Sequence, residues 1–229
     1  MAPHPTRVLA GITVPDTPLI TEALAYAKVH SNTLMYNHVV RSWLFGAFIA
    51  SRSPEYENHD AELLAISAIF HDMGFSTTSA LVSPDKRFEV DGANTARGFL
   101  KMVGNPDDWD KHRLQLAWDA IALHTTGSIA VEKEIEVKVC HLGISTDFIG
   151  PERTPECPIP MDIWNGILKE FPRDGLREGA TEALCSICKM KPETTYDNFV
   201  SDFGVRFVEG YSLEGKRGID IVLAADNWN

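Results

Sequence analysis

The pair His71-Asp72 carries the clearest chemical signal in the chain. It closes an apolar helical run at residues 61–70 and is followed at once by Met73-Gly74. An imidazole beside a carboxylate at the end of a buried helix is poor core material, because each brings polar atoms that need partners. A cation between them satisfies both. Two further groups fit the same chemistry: His38, in Tyr36-Asn37-His38-Val39-Val40-Arg41, and Asp147, in Ser145-Thr146-Asp147-Phe148-Ile149-Gly150. Two imidazoles and two carboxylates suit zinc, iron(II) or manganese, and the lack of a thiolate argues against a closed structural zinc site. Water on a zinc-type centre has its pKa lowered to about 7, which makes hydroxide available at neutral pH. Singly, each residue has a plainer reading: a lone helical histidine is usually hydrogen-bonded or at the surface. His71-Asp72 alone would serve equally as a helix end whose Asp starts a turn before Gly74. The joint pattern points to a metal.

Helices must position these groups. Thr17-Pro18 offers a cap and a first-turn proline for a helix over residues 17–30. A second runs from about 31 to 52 and carries His38, with Val40, Trp43, Leu44, Ala47 and Phe48 spaced for one buried face. A third covers 60–71. Residues 91–100 suggest a fourth, weakened by Gly92 and Gly98, and 106–124 a fifth that ends in His124. The sixth, 132–147, ends in Asp147, and three more fall near 161–171, 176–189 and 196–209. Strand signal is thin: residues 87–90 alternate only briefly. The Pro-rich stretch 151–160 is the best break, and it separates a core from helices that pack back on it. The expectation is an all-α fold, one domain over 1–229, with a metal-binding core at about 30–150 and additional C-terminal helices at about 160–210.

Composition narrows the setting. With 229 residues and 44% hydrophobic content the chain can bury a sizeable core. A net charge of -11 and a pI near 5.1 argue against nucleic acid or an anionic membrane as the main partner. No run reaches the roughly eighteen apolar residues of a membrane span, and residues 8–14 lack a convincing cleavage site. The expectation is a cytoplasmic protein acting on a small molecule, with homo-oligomerisation left open. Four cysteines are too few for a disulfide scaffold. Cys185 and Cys188 form a lone CxxC in a helical context, which reads as small residues on a packed face. Cys140 and Cys157 carry no signal.

The order His38, His71-Asp72, Asp147 resembles the HD-domain superfamily of metal-dependent hydrolases over residues 30–150. Asn37-His38-Val39-Val40-Arg41-Ser42, leading to Phe45-Gly46, is similar to the first-histidine segment of its cyanamide hydratase-like branch. Phe88-Glu89-Val90-Asp91-Gly92 and Ile121-Ala122-Leu123-His124 resemble two further segments of that branch. The resemblance implies an HD-type helical bundle with metal ligands His38, His71, Asp72 and Asp147. It also implies a hydro-lyase that adds water to a small nitrile such as cyanamide, giving urea. Dinuclear relatives carry two more histidines; by segment these fall at Phe88, which cannot bind a metal, and at His124. One divalent ion, zinc before iron or manganese, is therefore expected, although Glu89 beside Phe88 leaves a route to a second site.

Around the metal, Asp72, Glu89 and His124 are the candidate proton-transfer groups. Phe75, Arg41 and Asp91 are the candidate substrate contacts, with Arg41 equally suited to pair with a carboxylate behind the ligands. Glu89 and Asp91 also suit a solvated helical first turn, and His124 a helix end. His141 reads as structural, and His4, His30, His59 and His112 take no role. The apolar Phe75 after His71-Asp72-Met73-Gly74 weakens, without removing, the first rival: an HD phosphohydrolase acting on a nucleotide or other phosphomonoester. Lys86, Arg87 or Arg41 would then supply the cation. A di-iron oxygenase and a non-catalytic scaffold are the other readings.

Overall fold

The computed structural model describes residues 4–154 and 157–224, so Pro155 and Glu156 of the Pro-rich stretch lie outside it. Among the described residues the fold is all-α apart from one two-stranded hairpin. That hairpin, β1 (Thr6–Leu9) and β2 (Ile12–Pro15), was not expected from the sequence. Ala10 and Gly11 make its two-residue turn, both at positive φ (48° and 82°), the backbone that matches the strands' own twist.

Helix starts follow the capping signals. Thr17, Asn32, Asp60 and Asp110 each accept a backbone N–H at the starts of α1 (Pro18–His30), α2 (Thr33–Arg52), α3 (Ala61–Phe70) and α5 (Lys111–Ala122). α5 therefore starts at Lys111, after its cap Asp110 and later than Pro106. α4 (Phe88–Val103) starts earlier than expected and takes in residues 88–90, whose alternation is not a strand. A short α6 (Gly127–Ala130) precedes α7 (Ile135–Ile149) and α8 (Met161–Glu170).

α3 is the central element. Residues 62–70 are all buried, and the helix meets α1, α2, α4, α5 and α7. A helix enclosed this way is apolar on every face, which explains its lack of an amphipathic stripe. Its start is anchored by Arg113 of α5, which donates to Asp60 (2.6 Å) and Glu62 (3.0 Å) and lies over the Trp109 ring. Thr17 donates to the other oxygen of Glu62. The opposite end of α3 delivers His71 and Asp72 to the interior.

The contact pattern divides the chain into two compact units. One runs to Val82 and includes Phe88–Asp174, so the Pro-rich stretch and α8 fall inside it. The other combines Ser83–Arg87 with the chain from Gly175 onward. It contains α9 (Leu176–Met190), α10 (Val200–Phe207) and α11 (Gly218–Leu223), the last of which was not expected. Cys185 and Cys188 are buried in α9, where the Cys188 thiol donates to the Val200 carbonyl. No helix among the described residues is long and apolar enough to cross a membrane.

Candidate metal centre

Two close backbone approaches bring the candidate residues together within the first unit. α2 and α7 pack antiparallel, and a Cβ on Gly143 would lie 2.5 Å from the Ser42 carbonyl and 2.7 Å from the Gly46 nitrogen. Only glycine permits that contact. His38 lies one turn before Ser42 and Asp147 one turn after Gly143, so the two meet. The second approach joins Gly74 to the start of α4: a Cβ there would overlap the Phe88 backbone. A Cβ on Gly92 would lie 2.7 Å from the His71 carbonyl, and the first turn of α4, with Glu89 and Asp91, is thereby fixed against His71-Asp72.

His38 and His71 are fully buried, and Asp72, 7% exposed, is the member of the trio that solvent touches. The Ala68 carbonyl accepts from Nδ1 of His71 at 2.8 Å, and Asp147 Oδ2 accepts from Nδ1 of His38 at 2.7 Å. Each ring thus carries its proton on Nδ1 and turns an Nε2 lone pair inward. The two Nε2 atoms lie 3.1 Å apart, and Asp72 Oδ2 is 3.5 Å from one and 3.3 Å from the other. Facing lone pairs repel unless a proton or a cation lies between them. Donors around a tetrahedral cation with bonds of about 2.0–2.1 Å are about 3.3 Å apart, which the three observed edges match. These three residues form a buried group able to hold a metal ion.

Charge agrees with geometry. Burial opposes a proton on His71, but the charge and hydrogen bond of Asp72, the Ala68 carbonyl and Asp147 outweigh it and raise its pKa. Burial likewise works against the Asp72 carboxylate, yet His71, His38 and His124 hold it far below its usual range. The centre favours one positive charge between these groups.

The other expected site residues fall into a surrounding layer. Asp147, expected as a fourth ligand, meets the outer nitrogen of His38, so its carboxylate stands apart from the inward-facing donors. Arg41 lies behind it and donates to both carboxylate oxygens through Nε and Nη2, while Nη1 donates to the Phe171 and Pro172 carbonyls. Of its two expected roles, the guanidinium therefore takes the pairing one. His124 points Nε2 to within 3.9 Å of Asp72 Oδ1, its Nδ1 proton held by the Ile121 carbonyl. Burial, reinforced by the charge of His71, lowers its pKa to about 4 against the opposing pull of Asp72 and Glu89. His124 is thus a neutral base with a free lone pair beside Asp72. Glu89 is fully buried and accepts from Thr125 Oγ1 at 2.6 Å, which fixes the residue after His124. Asp91 is buried in the same helical turn as Glu89.

Phe75 packs at a tilt against Phe88, whose ring lies edge-on to His124, so Phe88 stands between Phe75 and the imidazoles. His141, read as structural, donates Nδ1–H to the His124 carbonyl and steadies the turn that follows. Sequence reasoning gave no role to Phe148 and Arg173. The Phe148 ring packs against His38 while half exposed, and Arg173 Nε lies 3.6 Å from Asp147 Oδ1. It also missed the Gly46–Gly143 contact, although a glycine inside a buried helix is a signal of close approach.

No protein-family model matches the chain, and no curated protein matches it significantly.

Proposed function

We propose that the protein is a mononuclear metal-dependent hydratase or hydrolase that adds water to a small, neutral, nitrile-like substrate, with cyanamide and urea as the reference pair. The observation that carries this reading is the convergence of two inward Nε2 lone pairs and the Asp72 carboxylate at tetrahedral edge lengths. His38, His71 and Asp72 would hold the ion, which when bound supplies a Lewis acid that acidifies water. Zinc suits this nitrogen-rich donor set best. His124, whose Nε2 lone pair faces Asp72, would be the group that takes up a proton and returns one to the substrate nitrogen, while Glu89 and Thr125 keep the His124 segment in place. Asp72, ionised and within reach of His124, orients the exchange.

A neutral substrate is supported by where the cations are engaged. Arg41, the cation buried beside the centre, donates to Asp147 and to two backbone carbonyls. The resemblance to the cyanamide hydratase-like branch points the same way. The test is urea formation from cyanamide by zinc-loaded protein, measured beside His71→Ala. Urea production that disappears in the variant is the expected result. Phosphate release from nucleoside monophosphates with no urea would transfer the site to the phosphohydrolase reading.

A further inference from the structure

Three phenylalanines run along one side of α10. Phe199, Phe203 and Phe207 recur at every fourth residue, and successive ring centroids lie 6.2 and 6.3 Å apart, so the rings form a single ridge. The helix does not use this ridge to hold its own unit together. Its buried side is Val200, Ser201 and Gly204, and Gly204 receives the Tyr211 ring so closely that a Cβ would meet it at 2.6 Å. Phe199 is instead 38% exposed and Phe207 55% exposed. A continuous aromatic ridge open to water marks a contact surface, unlike apolar residues scattered singly. Beside it on the helix lies a second ridge, of Asp202 and Arg206, both exposed, with Arg206 over the Phe207 ring.

These spacings are self-complementary. When a second α10 lies antiparallel with its Arg206 opposite Asp202 of the first, two-fold symmetry sets the first Arg206 opposite the second Asp202. At a rise of about 1.5 Å per residue, the two phenylalanine ridges are then offset by about 3 Å. All the rings of the pair interleave at even steps instead of colliding, ridge into groove, and the opposite charges fall at the rim of an apolar centre. We propose that a second copy of this chain docks on α10, in an antiparallel pair built on the Phe199-Phe203-Phe207 ridge and two Asp202–Arg206 ion pairs. A helix of this length spans about 12 Å. Its face falls short of the roughly 800 Å² per partner of a stable complex, so the dimer is a weak one that fills as concentration rises.

Sedimentation equilibrium of the full chain between about 1 and 100 µM spans the range of such a weak contact. Wild-type protein should be monomeric at the low end and dimeric at the high end, and Phe207→Glu should be monomeric throughout. Asp202→Arg and Arg206→Asp each set like charges opposite one another, and each alone should weaken the dimer about tenfold. Mixed in equal amounts, these two variants regain both opposite-charge pairs and should dimerise with each other as tightly as wild type. All three positions are exposed, so far-UV circular dichroism should match wild type in every variant, which separates lost pairing from lost folding. A wild-type chain that stays monomeric at the highest concentration overturns the proposal. So does a dimer indifferent to Phe207→Glu, which would put the interface on another face. Charge variants that fail to recover on mixing overturn the antiparallel pairing.

Discussion

Gly143→Ala is the sharpest probe of how the fold builds the site. The added methyl would meet the Ser42 carbonyl at 2.5 Å and the Gly46 nitrogen and Cα at 2.7 and 2.8 Å. All three are backbone atoms of α2, so no flexible side chain can yield. The methyl falls roughly 1 Å inside ordinary contact, and relieving it requires α2 and α7 to separate. Overpacking of this kind costs about 1–3 kcal/mol, and rigid backbone neighbours place Gly143 at the upper end. The better helix propensity of alanine returns only about 1 kcal/mol, leaving a net loss of about 1–2 kcal/mol. Gly98→Ala provides the opposite case: it sits in α4 with nothing within 4 Å and should gain about 0.5–1 kcal/mol. Urea denaturation with unchanged m-values measures both. Separation of the helices also pulls Asp147 from His38, so zinc affinity should fall in Gly143→Ala and hold in Gly98→Ala. A Gly143→Ala protein as stable as wild type, with wild-type zinc affinity, would refute the close-contact argument.

Other consequences can be measured independently. His124 has an ordinary pKa of 6.5 and about 4 in the fold, so the unfolded chain takes its proton first as pH falls. Stability held by keeping it neutral is complete above pH 6.5 and is lost between 6.5 and 4, an effect of about 3 kcal/mol in metal-free protein. His124→Gln should flatten the acid slope of denaturation curves by that amount; an identical slope would show that His124 titrates normally. Arg113→Ala leaves Asp60 and Glu62 without their shared cation at the start of α3 and should cost about 3–5 kcal/mol by chemical denaturation. A loss below about 1 kcal/mol would reduce that network to surface-type pairing. Burial pushes the Cys140 thiol up to about 12, so alkylation mapping at pH 8 should leave Cys140 unlabelled until the protein unfolds. Prompt labelling of native Cys140 would contradict its place in the core.

Much of the site was legible because it depends on residue type. The apolar run before His71-Asp72 announces a buried helix with polar atoms at its end, and Thr17, Asn32 and Asp60 announce helix starts. Residues 88–90 misled because a short alternation is compatible with either period, and the start of α4 is decided by its contact with Gly74 rather than by its own pattern. The hairpin was hidden in a brief apolar stretch whose turn uses Ala10 at positive φ, a residue with no turn signature. Ligand geometry was out of reach for a different reason. Which nitrogen of each histidine faces inward is set by the Ala68 and Ile121 carbonyls and by Asp147, and a backbone carbonyl leaves no mark in the sequence. The same limit explains why Asp147 could be picked out as part of the centre but not placed on the outer side of His38.

The central claim is that His38, His71 and Asp72 hold a single divalent ion. Elemental analysis of untagged protein purified without chelators, run beside His71→Ala, tests it most directly. The expected result is close to one ion per chain, zinc foremost, and its loss in the variant. Wild-type protein with two ions per chain, or a metal content that His71→Ala leaves unchanged, would contradict the claim.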